Sequence, residues 1–143
     1  MTAEYSLAVH ALVFLLHKNC IVTSEELAKN ICTNPARVRK VMSKLRHGGL
    51  VSSSEGMGSG YMAIPQSECI TLRQVLETLQ EKAVAASWHS GSVDMDCMIA
   101  SGMSTIMDEI YGKMNEQCDA YLGQITIGDI QNKIFSTNNN GNR

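Results

Sequence analysis

Six basic side chains, Lys29, Arg37, Arg39, Lys40, Lys44 and Arg46, fall between Leu27 and Ser54, a stretch with no aspartate or glutamate. The other lysines and arginines share the rest of the chain with all 14 acidic residues, so a net charge of −2 conceals a cationic segment on an anionic body. Screening confines exposed charges to about 8 to 10 Å, so attraction to phosphates depends on such local concentration rather than on net charge. Arginine suits bidentate contact with guanine, and lysine suits phosphate as a point charge. The chemistry on offer is the binding of a polyanion. Taken alone, the charges also fit a solvated helix face with a chance sign bias.

Other reactive side chains point away from catalysis. His10, His17, His47 and His89 are scattered, and no nucleophile, base and orienting group form a recognisable arrangement, which argues against an enzyme. Cys20, Cys32, Cys69, Cys97 and Cys118 are odd in number and none stands in a Cys-x-x-Cys pair, which argues against a disulfide framework or a zinc ribbon and for reduced thiols. With 143 residues, 44% hydrophobic and 18% charged, the chain suits one ordinary folded domain. No apolar run approaches the roughly 18 residues of a membrane span. Ala8 to Leu16 is interrupted by His10 and follows no basic cluster, so it does not read as a signal peptide. A cytoplasmic protein with no membrane partner is expected.

The elements that must position the basic residues are legible from periodicity. Tyr5, Ala8, Ala11, Leu12, Leu15 and Leu16 recur at three and four residues and mark a first helix ending near Asn19. Thr23 and Glu26 form a capping-box signature before Leu27, Ala28 and Ile31, a helix of about two turns. After the turn Cys32-Thr33-Asn34, Asn34 caps a third helix that opens on Pro35 and ends at Gly48-Gly49. Val38, Val41, Met42 and Leu45 make its buried stripe, and the basic residues lie on its other faces. Two short helices joined by a tight turn, the second basic, are what a helix-turn-helix requires. Leu50 to Ser54 and Tyr61 to Ile64 then read as strands around the flexible turn Glu55 to Gly60, a hairpin wing. The Gly-Lys-Ser/Thr ending of a nucleotide-binding loop is absent.

Downstream, Thr71 and Gln74 make another capping box before Leu72, Val75, Leu76 and Leu79. An irregular stretch from Ala85 to Asp96 precedes a long apolar stripe from Met103 through Ile106, Ile110, Met114 and Tyr121 to Ile125, too long for its neighbours to cover. Pairing with a second copy is the expected use, with Ile106, Ile110, Met114 and Tyr121 at the seam. The expected fold is mainly α with a small β-hairpin wing: a winged helix-turn-helix domain over 1–82, an effector or sensor loop over 83–102, a dimerisation helix and a short C-terminal helix over 103–135, and a disordered tail over 136–143.

Four segments carry a resemblance to a known family: Tyr5 to Leu12; Leu45 to Tyr61, with its Leu-Arg-x-x-Gly-Leu-Val run and Gly-x-Gly-x-Gly-Tyr wing; Ile70 to Leu76; and Ile125 to Ile130, read Ile-Thr-Ile-Gly-Asp-Ile. Together they resemble the Rrf-two family of bacterial winged helix-turn-helix transcriptional regulators over roughly residues 1 to 135. The resemblance implies a homodimer that binds double-stranded DNA at a palindromic operator and represses transcription. It places the DNA-reaching positions of the recognition helix at Ala36, Arg37, Arg39 and Lys40, with Arg37 and Arg39 expected to read bases. Lys44, Arg46 and Ser59 complete the expected contact set, and Gly56, Gly58, Gly60 and Tyr61 shape the wing.

Departures from the family are equally specific. Its wing arginine for the minor groove is replaced by Glu55, and the basic residues usual before the first-helix tyrosine are replaced by Thr2, Ala3 and Glu4. Cluster-binding members place three cysteines ahead of the long helix, where this chain has Cys97 alone, with His89 the nearest imidazole. No cofactor or metal site is therefore expected, an iron-sulfur cluster included. Cys97 is left as the candidate sensor, either a packed thiol or a redox-active one, with Asp94 and Asp96 expected to raise its pKa. Control by a regulatory protein partner and thiol-based sensing are the two alternatives to an otherwise plain DNA-binding repressor.

Overall fold

The computed structural model describes residues 1–56 and 58–140. Three helices come first: α1 (Ala3–Lys18), α2 (Ser24–Ile31) and α3 (Pro35–His47). Each begins on a side chain that accepts from an otherwise orphaned backbone N–H: Thr2 from Glu4, Thr23 from Glu26 and Asn34 from Arg37. Thr23 and Glu26 form only that half of the expected box. Asn19 and Cys32 close α1 and α2 in the left-handed region, at φ 50° and 64°, and Cys32 opens the tight turn into α3.

A two-stranded antiparallel hairpin follows, β1 (Val51–Ser54) with β2 (Gly60–Ala63), in the register Val51 to Ala63 and Ser54 to Gly60. The hairpin does not stand free. Val22, between α1 and α2, exchanges both backbone hydrogen bonds with Tyr61 at 2.8 Å, which fastens the wing to the helical body.

A single 3-10 turn (Ser67–Cys69) leads to α4 (Leu72–Thr78), where Thr71 and Gln74 form the complete reciprocal box. The last helices are α5 (Met98–Leu122) and α6 (Ile127–Asn140). Thr126 and Asp129 cap α6 in the same reciprocal way. The turn before α6 pairs with the turn before α4: Leu72 N–H donates to Ile125 O at 2.9 Å and Ile127 N–H to Ile70 O at 2.8 Å.

One core joins these elements. Leu12 and Leu15 of α1, Val22, Leu27 of α2, Val38, Met42 and Leu45 of α3, Leu76 of α4 and Ile127 of α6 are fully or almost fully buried in a single cluster. The C-terminal helix is therefore part of the same packed body as the helix-turn-helix. Tyr5 adds a hydroxyl donated to Leu72 O at 3.3 Å.

Two boundaries differ from the sequence expectation. The long helix starts at Met98, five residues before Met103, so part of the expected 83–102 loop is helical. What remains of that loop lies along α5 as a strap: Asn115 holds both the N–H and the carbonyl of Val84, at 2.9 and 2.8 Å, His89 Nε2 meets Asp108 Oδ1 at 3.0 Å, and Ser92 N–H donates to Ala100 O at 3.0 Å. Residues 136–140, expected in a disordered tail, continue α6. Extending a formed helix adds a hydrogen bond per residue without a new nucleus, and the Ser136 and Thr137 hydroxyls donate back to Lys133 O. The remainder of that expected tail, 141–143, lies outside the described residues.

Candidate nucleic-acid interface

Helix α3 is held by its apolar stripe and presents everything else. Val38, Val41, Met42 and Leu45 are buried, whereas Ala36, Arg37, Arg39, Lys40 and Arg46 are exposed and Lys44 is half-buried. The exposed cations divide between two flanks. Arg39 and Arg46 face the wing and line, with Ser24, Ser43, Ser53 and Ser59, a groove of about 600 Å³ between α3 and the hairpin. Arg37, Lys40 and Lys44 lie on the side of α1.

Arg39 is held at the mouth of the groove. Its Nη1 donates to Ser24 Oγ at 3.3 Å and stands 3.7 Å from Glu25 Oε1, an exposed pair that orients the guanidinium more than it stabilises the fold. On the other flank, Glu4 takes both lysines: Lys40 Nζ lies 2.8 Å from Oε1 and Lys44 Nζ 2.7 Å from Oε2. Hydrogen bonds from Lys40 and Lys44 hold the Glu4 carboxyl down to a pKa of about 2. Arg37 and Arg46 have no ion pair among the described residues.

The wing depends on its glycines at different points for different reasons. Gly56 and Gly58 take φ 87° and 79°, values that ordinary side chains rarely adopt. Gly60 instead marks a close approach: a Cβ there would lie 2.6 Å from Val22 O. Ser59 N–H donates to Gly56 O at 3.0 Å and closes the turn. Glu55 lines the α3–wing groove, so an acid sits where the resemblance implies an arginine.

Cys97 occupies the N-cap position of α5, with no side-chain capping hydrogen bond, and is exposed. Its pKa is lowered, because the backbone N–H groups of Ala100 and Ile99 in the first helical turn stabilise the thiolate. That reverses the expected direction. Asp94 and Asp96 are near in sequence, but aligned N–H groups at a helix start decide the sign.

On the expected dimer seam, Ile106, Ile110, Met114 and Tyr121 are 52, 46, 43 and 65% exposed, and Leu122 is the one buried residue of α5. Exposure at that level over a helix of 25 residues leaves a long apolar face uncovered within one chain. Among the described residues no helix is long and apolar enough to cross a membrane.

A three-helix body, a basic second helix of a helix-turn-helix and a hairpin fastened beside it define a winged helix-turn-helix DNA-binding protein. The family model named Rrf2, described as an iron-dependent transcriptional regulator, matches residues 1–133. The chain belongs to the Rrf2 family of transcriptional regulators. YwnA of Bacillus subtilis (strain 168), named as a candidate HTH-type transcriptional regulator, is 21% identical over 135 residues, which covers 94% of this chain and 99% of YwnA. The HTH-type transcriptional regulator IscR of Vibrio atlanticus is 26% identical over 93 residues, 65% of this chain and 51% of IscR, so the match spans about half of that relative.

Solved structures share the fold. A candidate transcriptional regulator from Lactobacillus plantarum superposes with a TM-score of 0.79 at 22% identity, covering 100% of both chains. CymR, the global cysteine regulator of B. subtilis, superposes with a TM-score of 0.68 at 16% identity, covering 93% of this chain and 96% of that one.

The family description raises iron, and the donor chemistry of this chain does not fit it. Among the described residues no three His, Cys, Asp or Glu side chains gather as a metal-binding group. Cys97 stands without a second thiolate beside it in sequence, and His89 is engaged by Asp108.

Sequence reasoning missed the partners of the basic residues. Glu4 lies 36 and 40 positions from its lysines, and Ser24 lies 15 from Arg39. Only the packing of α1 and α2 against α3 brings them together. The serines of the groove carried one signal: Ser53 and Ser54, in a strand next to a basic helix, offer small donors where bulk would block a backbone.

Proposed function

We propose that this regulator acts as a homodimeric repressor that places α3 in the major groove, with Arg37 and Arg39 reading bases and Arg46, Ser59 and the wing turn holding the sugar-phosphate backbone. The observation that carries this reading is the groove between α3 and the hairpin. Arg39, Arg46 and several hydroxyls face into it, the residue types that supply most contacts to phosphates and base edges, while Arg37 stands exposed on the α1 flank of the same helix. The Val22–Tyr61 bridge fastens the wing to the helical body that also carries α3.

The uncovered face of α5 supports the dimer. Pairing Ile106, Ile110, Met114 and Tyr121 with their copies would present two α3 helices to half-sites about 34 to 36 Å apart. In this reading residues 1–82 and α6 form the DNA-binding body, α5 the dimerisation helix and 83–97 the strap on which a signal acts. The chain works by binding rather than by catalysis.

Fluorescence anisotropy with DNA from upstream of the protein's own gene tests the reading. Arg39→Ala weakens specific binding by about 1 to 3 kcal/mol with the fold intact, and Ile110→Asp shifts the sedimenting species to half its mass. Unchanged affinity in the first variant, or unchanged mass in the second, removes that residue from its role.

A thiol signal is the second reading, favoured by the exposure of Cys97 and its lowered pKa. Oxidation at the α5 N-terminus would act where strap and dimerisation helix meet.

A further inference from the structure

The two flanks of α3 differ in how free their charges are. On the wing side, Arg46 has no ion pair among the described residues, and Arg39 has only an exposed acid at 3.7 Å. On the α1 side, one carboxylate holds two ammonium groups at 2.8 and 2.7 Å. Lys40 and Lys44 are one turn apart on α3, so they reach toward one point, and Glu4 in the first turn of α1 occupies it with one oxygen for each. The carboxylate is only 20% exposed, whereas Lys40 remains 65% and Lys44 40% exposed.

We infer that Glu4 is a positioning residue that withholds Lys40 and Lys44 from DNA phosphates and leaves Arg37, Arg39 and Arg46 as the cations of α3 that meet DNA. The inference rests on the reading that α3 faces DNA. A lysine that stays paired with its carboxylate neutralises no phosphate, so it releases none of the counterions condensed on the DNA. Moving it to a phosphate strips a poorly solvated carboxylate of its partner and leaves that acid beside a polyanion. Resident pairing therefore competes with phosphate pairing at both lysines at once. The consequence is a short electrostatic footprint: binding less steeply dependent on salt than the six basic residues of the 27–54 segment would suggest.

The test is the slope of log affinity against log salt for a mixed-sequence DNA duplex, measured by anisotropy with the full chain. Each phosphate contact contributes a slope of about −0.9, so Glu4→Gln should steepen it by about 1.8 and deepen the affinity loss between about 50 and 200 mM salt roughly tenfold. The double variant Lys40→Met/Lys44→Met should leave the wild-type slope nearly unchanged but abolish the gain in the Glu4→Gln background, a coupling that a general charge effect does not produce. Glu116→Gln, which frees Lys113 on α5 instead, should leave the slope as it is.

An unaltered slope in a folded Glu4→Gln protein overturns the inference. So does a wild-type slope that already falls by about 2 when both lysines are removed, and this arm reads out even if Glu4→Gln does not fold. Salt-dependent binding by the wild type in either case keeps the interface itself. Absence of binding by every form refutes the interface, and the inference with it.

Discussion

Replacing Ile127 by alanine tests whether α6 belongs to the DNA-binding body. Ile127 is fully buried, and its N–H is bonded to Ile70 O at 2.8 Å, so its side chain sits where the turns before α4 and α6 are stitched together. The substitution removes three buried carbons, about 2.4 kcal/mol at roughly 0.8 kcal/mol per methylene. The backbone stitch is retained and resists collapse, so a cavity persists and raises the loss to about 3 or 4 kcal/mol, inside the range of roughly 2 to 5 seen for such truncations. For a chain of this size that is a fall in Tm of about 10 °C. Urea unfolding followed by far-UV circular dichroism, at one protomer concentration because a dimer's stability depends on it, gives the number. The expected result is a lower midpoint with an unchanged slope and a single transition. A loss below about 1 kcal/mol, or an early transition that melts α6 and leaves the remainder intact, would refute the shared core.

Three further outcomes follow from the geometry. Glu4 has a folded pKa of about 2 against 4.5 unperturbed, so the stability that it supplies is complete above pH 4.5 and is lost as pH falls toward 2; the exposed lysine ends screen it to about 1 kcal/mol. Wild type and Glu4→Gln should thus differ at neutral pH and converge by pH 2 in acid titrations, and a constant gap would place the effect elsewhere. Gly60→Ala puts a methyl group 2.6 Å from Val22 O and 2.8 Å from Ile21 Cγ2, an overpacking worth about 1 to 3 kcal/mol. It should speed amide exchange at Tyr61 and weaken DNA binding together, and wild-type exchange at Tyr61 would contradict the close approach. Cys97 should react with iodoacetamide near neutral pH before Cys20, Cys32 and Cys69, which are also exposed, as read by peptide mass spectrometry; equal rates would remove its claim to be a sensor.

The helix-turn-helix and the wing were legible because their signals are local. Thr23, Asn34-Pro35 and the glycines of residues 56–60 each act within a few positions, and the stripes of α1 and α3 repeat with the helical period. The start of α5 was not legible, since Ala100, Ser101 and Gly102 interrupt the apolar stripe and glycine and serine are weak helix formers. Nor was the end of α6, where Ser136 to Asn140 have poor intrinsic propensity but extend a helix already formed. The charge pairs of α3 were hidden because they are contacts across the fold. The basic run in the sequence does not reveal that Lys40 and Lys44 share the Glu4 carboxylate, because that acid comes from a neighbouring helix. For Cys97 the nearest acids in sequence suggested one direction, and the N–H groups of its own helix imposed the other.

The strap along α5 has an optical consequence. Trp88, the single tryptophan of the chain, stands on it between the Val84 and His89 anchors with 76% of its surface in water. Its fluorescence therefore reports one place only. A second copy, a protein partner or a small effector that closes over the strap would shift the emission to the blue, and binding that leaves the strap untouched would not. The molecule thus carries a label at the segment where a signal is expected to arrive, and a titration can locate the event without any added dye.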